Sequence, residues 1–78
     1  MKIKIQELRE VLVGVFEDSD IPDDIANLKI DDFEEWDSLG NFTLLLALED
    51  RFNIKFDIAE MPNLNSVASI LLALEQRI

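Results

Sequence analysis

Ser38 lies in the run Trp36-Asp37-Ser38-Leu39, immediately ahead of a strongly patterned apolar segment. A serine in such a place can be a nucleophile, a helix cap or a point of covalent attachment. The first role needs a positioned base, most often histidine, and an oxyanion hole. The chain has no histidine and no cysteine. Lys29 and Lys55 stand in acidic loops with no motif around them, so a Ser–Lys pair has no support. Capping is the ordinary role of a serine at a helix start, and either Asp37 or Ser38 could accept the first-turn N–H. The third role suits the same position. A helix N-terminus directs unpaired N–H groups and partial positive charge outward, which favours a phosphate ester there despite the nearby Glu34, Glu35 and Asp37. Ser38 therefore reads better as an attachment point than as a nucleophile, and the chain is expected not to be an enzyme.

Three helices would position this serine. Ile5, Leu8, Leu12 and Val15 recur at helical spacing, with Val11 and Phe16 alongside, which predicts an amphipathic helix from about Ile3 to Asp18 in which Gly14 is a mild weakness. From Ser19 to Asp37 the periodicity stops. Asp20-Ile21-Pro22-Asp23-Asp24 has turn chemistry, and Ile25, Leu28, Ile30 and Phe33 read as inward anchors of a long loop. The second helix is predicted from Ser38 to Phe52. A short helix should follow at Asp57-Ile58-Ala59-Glu60, where the spacing is like that of a capping box, and Pro62 should keep it from continuing far. The last helix begins near Asn65-Ser66 and carries Val67, Ile70, Leu71, Leu74 and Ile78 on one face. The expected fold is all-α: one domain over residues 1–78, a small bundle of three main helices and one short helix with a long first connection.

The second helix is apolar on two sides. Leu44, Leu45, Leu48 and Phe52 form one face, spaced as core. Leu39, Phe42 and Leu46 form a second stripe at i, i+3 and i+7. It is either the other side of a central helix buried twice, or an exposed docking surface beside Ser38 with Glu49, Asp50 and Arg51 as a charged rim. The exposed docking surface is the expected arrangement.

Composition narrows the function classes. Seventeen acidic against seven basic residues give a formal net charge of −10 over 78 residues, which repels nucleic acid and anionic membranes and favours partners with basic patches. The absence of cysteine and histidine removes disulfides, thiolate sites and imidazole ligands. Asp31-Asp32-Phe33-Glu34-Glu35 lacks the glycine and ligand spacing of a calcium loop, so these carboxylates read as solvated. Trp36 reads as a packing residue over the loop. The N-terminus reaches Glu7 without a signal-peptide core, and no apolar run is long enough to span a bilayer, so a cytoplasmic, monomeric protein is expected.

Asp37-Ser38-Leu39, then Leu44 to Phe52 reading Leu-Leu-Leu-Ala-Leu-Glu-Asp-Arg-Phe, resembles the acyl carrier protein family. Phe56, the acidic short-helix region, Leu64 and Val67 extend the similarity over nearly the whole chain. The resemblance implies that Ser38 carries 4′-phosphopantetheine, transferred from coenzyme A by a phosphopantetheinyl transferase. The arm's thiol would hold acyl or aminoacyl groups as thioesters, and the bundle could admit the attached chain between its helices. It also implies that Asp37, Leu39, Phe42, Leu46, Glu49 and Asp50 contact the enzymes that modify, load and unload the carrier. Carriers of fatty acid synthesis commonly place acidic residues just after Ser-Leu, whereas Gly40, Asn41 and Thr43 here are uncharged. That departure suggests a specialised carrier with dedicated partners, handling a modified acyl or aminoacyl group in a secondary or surface-polymer pathway. The competing reading is an acidic helical adaptor that binds a partner through Leu39, Phe42 and Leu46, with Ser38 only a cap.

Overall fold

The computed structural model describes residues 5–77. Its helices are α1 (Ile5–Val15), α2 (Ser38–Phe52) and α3 (Val67–Arg77), with one 3₁₀ turn at Met61–Asn63. There is no strand among the described residues; a lone antiparallel bridge joins Lys29 to Ser66. The molecule is thus a small all-α protein, as the sequence predicts. Ile3 and Ile78, assigned above to helix α1 and to the apolar face of α3, lie outside the described residues.

Periodicity explains what each helix buries. From α1, Leu8, Val11 and Leu12 enter the core, with Phe16 just past its end. They meet Leu44, Leu45 and Leu48 of α2 and Val67, Ile70, Ala73 and Leu74 of α3. Gly14 is exposed on α1, and a Cβ there would meet no atom of the described residues within 4 Å. Gly14→Ala is therefore expected to stabilise the protein by about 0.5–1 kcal/mol, through the backbone freedom that glycine loses on folding. Thermal unfolding should show the melting temperature rising by about 4 °C.

The long first connection is ordered by apolar anchors and by hydrogen bonds to other elements. Ile21, Ile25 and Trp36 are buried, and Leu28, Ile30 and Phe33 pack against the core. The Arg9 guanidinium donates to the Ile21 and Pro22 carbonyls, each at 2.8 Å. Farther along, Ile30 N–H donates to Asn65 O at 2.8 Å, and Val67 N–H donates to Leu28 O at 2.9 Å. This second bond satisfies one of the orphan donors at the start of α3. Ser66 satisfies another, its hydroxyl accepting from Ser69 N–H at 3.1 Å.

The short helix differs from expectation. Asp57 opens a turn through its carbonyl, which accepts from Glu60 and Met61 N–H, and the helical turn begins only at Met61. Among the described residues no side chain caps it, and Asp57 takes part through its carbonyl alone, so the capping box at Asp57–Glu60 is not formed. Pro62 lies in the first turn, where its fixed φ and missing N–H are tolerated, and the turn goes no further than Asn63. Arg77 holds this region in place. Its guanidinium donates to Lys55 O at 3.0 Å and pairs with the Glu60 carboxylate, and its carbon lies 5.2 Å from the centre of the Phe56 ring.

Candidate functional site

Helix α2 starts at Ser38, and the side chain that caps it is Asp37, whose Oδ1 accepts from Gly40 N–H at 2.7 Å. Capping by Asp37 leaves the Ser38 hydroxyl out of the cap. Ser38 is exposed, as are Asp37 and Leu39.

The approach to this serine is closely braced. Trp36 is fully buried, its ring centre 5.7 Å from that of Phe16. Its indole N–H donates to Asn41 Oδ1 at 2.9 Å, and Asn41 Nδ2 donates in turn to Leu64 O at 3.0 Å. Asp31 N–H donates to Trp36 O at 2.7 Å, with Asp31 itself in the left-handed region at φ 75°. Glu35 turns back to accept from Ser19 Oγ at 2.6 Å and from Asp18 N–H at 3.1 Å. The loop before Ser38 is thereby joined to the end of α1, to the first turns of α2 and to the segment before α3.

The three uncharged residues after Leu39 each have a structural explanation. Gly40 packs so tightly that a Cβ would fall 1.9 Å from the Glu35 carbonyl oxygen. Asn41 is the buried link just described. Thr43 donates its hydroxyl to Leu39 O at 3.0 Å. Of these, Asn41 was open to detection from sequence: it stands seven residues before Leu48 and four before Leu45, on the core register of α2. A polar side chain on that register needs an internal partner.

Beside Ser38 is a cavity of about 380 Å³. Ile30, Leu45, Met61 and Pro62 line it, as do the more exposed Phe42 and Ile58; Ser38 and Asn41 supply its polar part. The cavity lies between α2 and the 3₁₀ turn, so the Arg77 contacts hold part of its wall.

The candidate docking residues divide. Leu39, Phe42 and Leu46 are 74%, 48% and 45% exposed, whereas Leu44, Leu45 and Leu48 on the other face are fully buried. Asp50 is exposed and shares a groove with Leu46, about 18 Å along the axis from Ser38 at 1.5 Å rise per residue. Glu49 does not belong to a charged rim, which corrects the sequence expectation. It is buried at 9% exposure, and its Oε2 accepts from Phe56 N–H at 2.8 Å. The chain reverses after α2 through Asn53 in the left-handed conformation at φ 55°, which brings Phe56 N–H back over the helix end. A carboxylate beneath it satisfies that donor, and the bond offsets the cost of burying the charge. Arg51 instead pairs with Glu10 of α1 at 3.0 Å.

In the acidic loop, the Lys29 backbone N–H and then its ammonium hold the Asp32 carboxyl below the usual carboxylate range, with burial opposing them. The stability this turn contributes is present at neutral pH and is lost as the pH falls below the ordinary carboxylate range. Groups of three or more acidic side chains arranged to hold a metal ion are absent among the described residues. No described helix is long and apolar enough to cross a membrane.

The chain matches no protein-family profile, no curated protein and no solved structure. Function therefore has to be argued from the site.

Proposed function

We propose that this protein is a carrier that holds acyl or aminoacyl groups on a 4′-phosphopantetheine arm attached to Ser38. The observation that carries this reading is an exposed serine hydroxyl at the N-terminus of a 15-residue helix, beside an apolar cavity. The residues present fit the group. An exposed hydroxyl is accessible to a transferase, and the helix N-terminus favours the phosphodiester's negative charge. The cavity, at about 380 Å³, is at the lower end of volumes that accept small organic ligands. When bound, the arm supplies the thiol that the cysteine-free chain lacks.

The chain's own residues would present the arm and receive the partner enzymes. Asp37 and the Trp36–Asn41 pair fix the start of α2, so that Ser38 projects from a rigid base. Leu39, Phe42 and Leu46 offer an apolar face to modifying and loading enzymes, with Asp50 at its far end. Catalysis belongs to those partners, because an isolated serine without a base activates nothing. The acidic chain suits partners with basic patches. A specialised cargo is the finer part of the proposal, since the family's usual acidic positions hold Gly40, Asn41 and Thr43.

Incubation with coenzyme A and a broad-specificity phosphopantetheinyl transferase tests the reading by intact mass. The expected result is a gain of one phosphopantetheine on the wild-type chain and none on Ser38→Ala. An unmodified wild-type chain would remove the carrier reading and favour the adaptor, in which Leu39, Phe42 and Leu46 bind a partner without a prosthetic group.

A further inference from the structure

The Asn41 side-chain amide can donate twice and accept twice. It donates once, to Leu64 O at 3.0 Å, and accepts once, from the Trp36 indole N–H at 2.9 Å. Those partners fix which way round the amide sits, because an indole N–H only donates and a backbone carbonyl only accepts. One Nδ2 hydrogen is left without a partner among the described residues, on a side chain that is buried at 6% exposure. An unserved buried N–H is costly, whereas a carbonyl oxygen tolerates one idle lone pair.

Asn41 lines the cavity beside Ser38, whereas Trp36 and Leu64 do not. It stands one turn along α2 from Ser38, about 4.5 Å at 1.5 Å rise per residue. Apart from Ser38, the other described lining side chains are hydrocarbon or thioether. An ester at Ser38 removes the hydroxyl hydrogen. Asn41 is then the one side-chain donor on the described lining, set in an otherwise apolar wall.

We infer that the spare Nδ2 hydrogen of Asn41 selects the cargo: it donates to an oxygen within an acyl chain seated in the cavity, so the preferred cargo is an oxygen-bearing acyl group and not a plain alkyl chain. This inference rests on the carrier reading and names the chemical class of what is carried. An alkyl chain filling the cavity would exclude water and strand the N–H. Sites built to bond a polar group discriminate strongly against partners that lack it. A keto or hydroxyl oxygen on the chain restores the bond. An aminoacyl group fits less well, because its ammonium brings donors only, with a charge that the apolar wall would desolvate.

The test varies the cargo and leaves the chain unchanged, so that a folding defect cannot imitate the result. A broad-specificity phosphopantetheinyl transferase loads hexanoyl, β-oxohexanoyl or δ-oxohexanoyl arms from the matching acyl-coenzyme A onto isotope-labelled protein, with loading checked by intact mass. The Asn41 amide is identified in proton–nitrogen spectra by its proximity to the Trp36 indole proton. At least one oxo isomer is expected to move an Asn41 amide proton downfield of its position in the hexanoyl form, and the same isomer should melt about 4 °C higher than the hexanoyl form. The side-chain amide of Asn53, at the far end of α2, should not move. If both oxo forms leave Asn41 where hexanoyl leaves it, or melt no higher, the cargo assignment is overturned and the carrier reading survives. An equal shift at Asn53 would also overturn it, since the effect would not be local to the cavity. If the wild type gains no mass, the carrier reading and this inference fail together.

Discussion

Asn41→Ala is expected to remove most of the protein's stability. The amide serves two groups that have lost contact with water, the Trp36 indole N–H at 2.9 Å and the Leu64 carbonyl at 3.0 Å. Each buried polar group left without a partner costs about 1–3 kcal/mol, so the pair should cost about 2–6 kcal/mol. A single core in a chain this short supplies about 3–5 kcal/mol of net stability. Urea unfolding followed by far-ultraviolet circular dichroism and by emission from Trp36, the only tryptophan, measures the loss. Asn41→Leu retains bulk but not the hydrogen bonds, and it should be nearly as damaging; a cost under about 1 kcal/mol would show that the bonds matter less than burial suggests. Trp36→Phe combined with Asn41→Leu should cost less than the sum of the two single changes, because Trp36→Phe removes the indole donor that Asn41→Leu leaves unpaired.

Gly40→Ala is expected to act at the same corner by a different mechanism. The added Cβ would fall 1.9 Å from the Glu35 carbonyl oxygen and 3.1 Å from its carbon, and these are backbone atoms with no rotamer to change. Either the loop before Ser38 or the first turn of α2 has to move. Overpacking of this kind costs about 3 kcal/mol where the neighbour cannot yield. Displacing Glu35 would also strain its bonds to Ser19 and Asp18, so the disturbance should reach the end of α1. The expected signature is a lowered melting temperature and, under the proposed carrier function, slower phosphopantetheine transfer to Ser38. Gly14→Ala should have the opposite sign, because none of the described residues occupies the space beside that glycine. If Gly40→Ala melted within a degree or two of the wild type, the close approach to Glu35 would not be a real constraint.

Much of the architecture was legible because it depends on periodicity. The apolar spacing of Leu8 and Leu12, of Leu44 to Leu48 and of Val67 to Leu74 located the three helices to within a few residues and named most of the core. The two-sidedness of α2 was visible for the same reason. Side-chain-to-backbone bonds between distant segments leave no periodic trace. Glu49 read as surface charge because nothing local indicates that Phe56 N–H returns over it. The spacing of Asp57 and Glu60 suggests a capped helix, whereas Glu60 is taken up by Arg77, seventeen residues away. Gly40 looked merely uncharged, since close approach of a carbonyl from an earlier loop is a tertiary fact. Ile58 gave no signal either: one apolar residue in a turn is unremarkable until its exposure and its position at the cavity are known.

The stitching of residues 28–30 to residues 65–67 bears on how this domain could be dissected or transplanted. A peptide spanning Ser38 and α2 would leave behind the strip that holds the serine's approach in register and the Leu64 carbonyl that Asn41 grips. The smallest portable unit is discontinuous: besides the loop and α2 it includes residues 64–67, bonded to Asn41 and to residues 28–30, and Asp18 and Ser19, bonded to Glu35, so grafting the serine motif onto a foreign scaffold requires all of them.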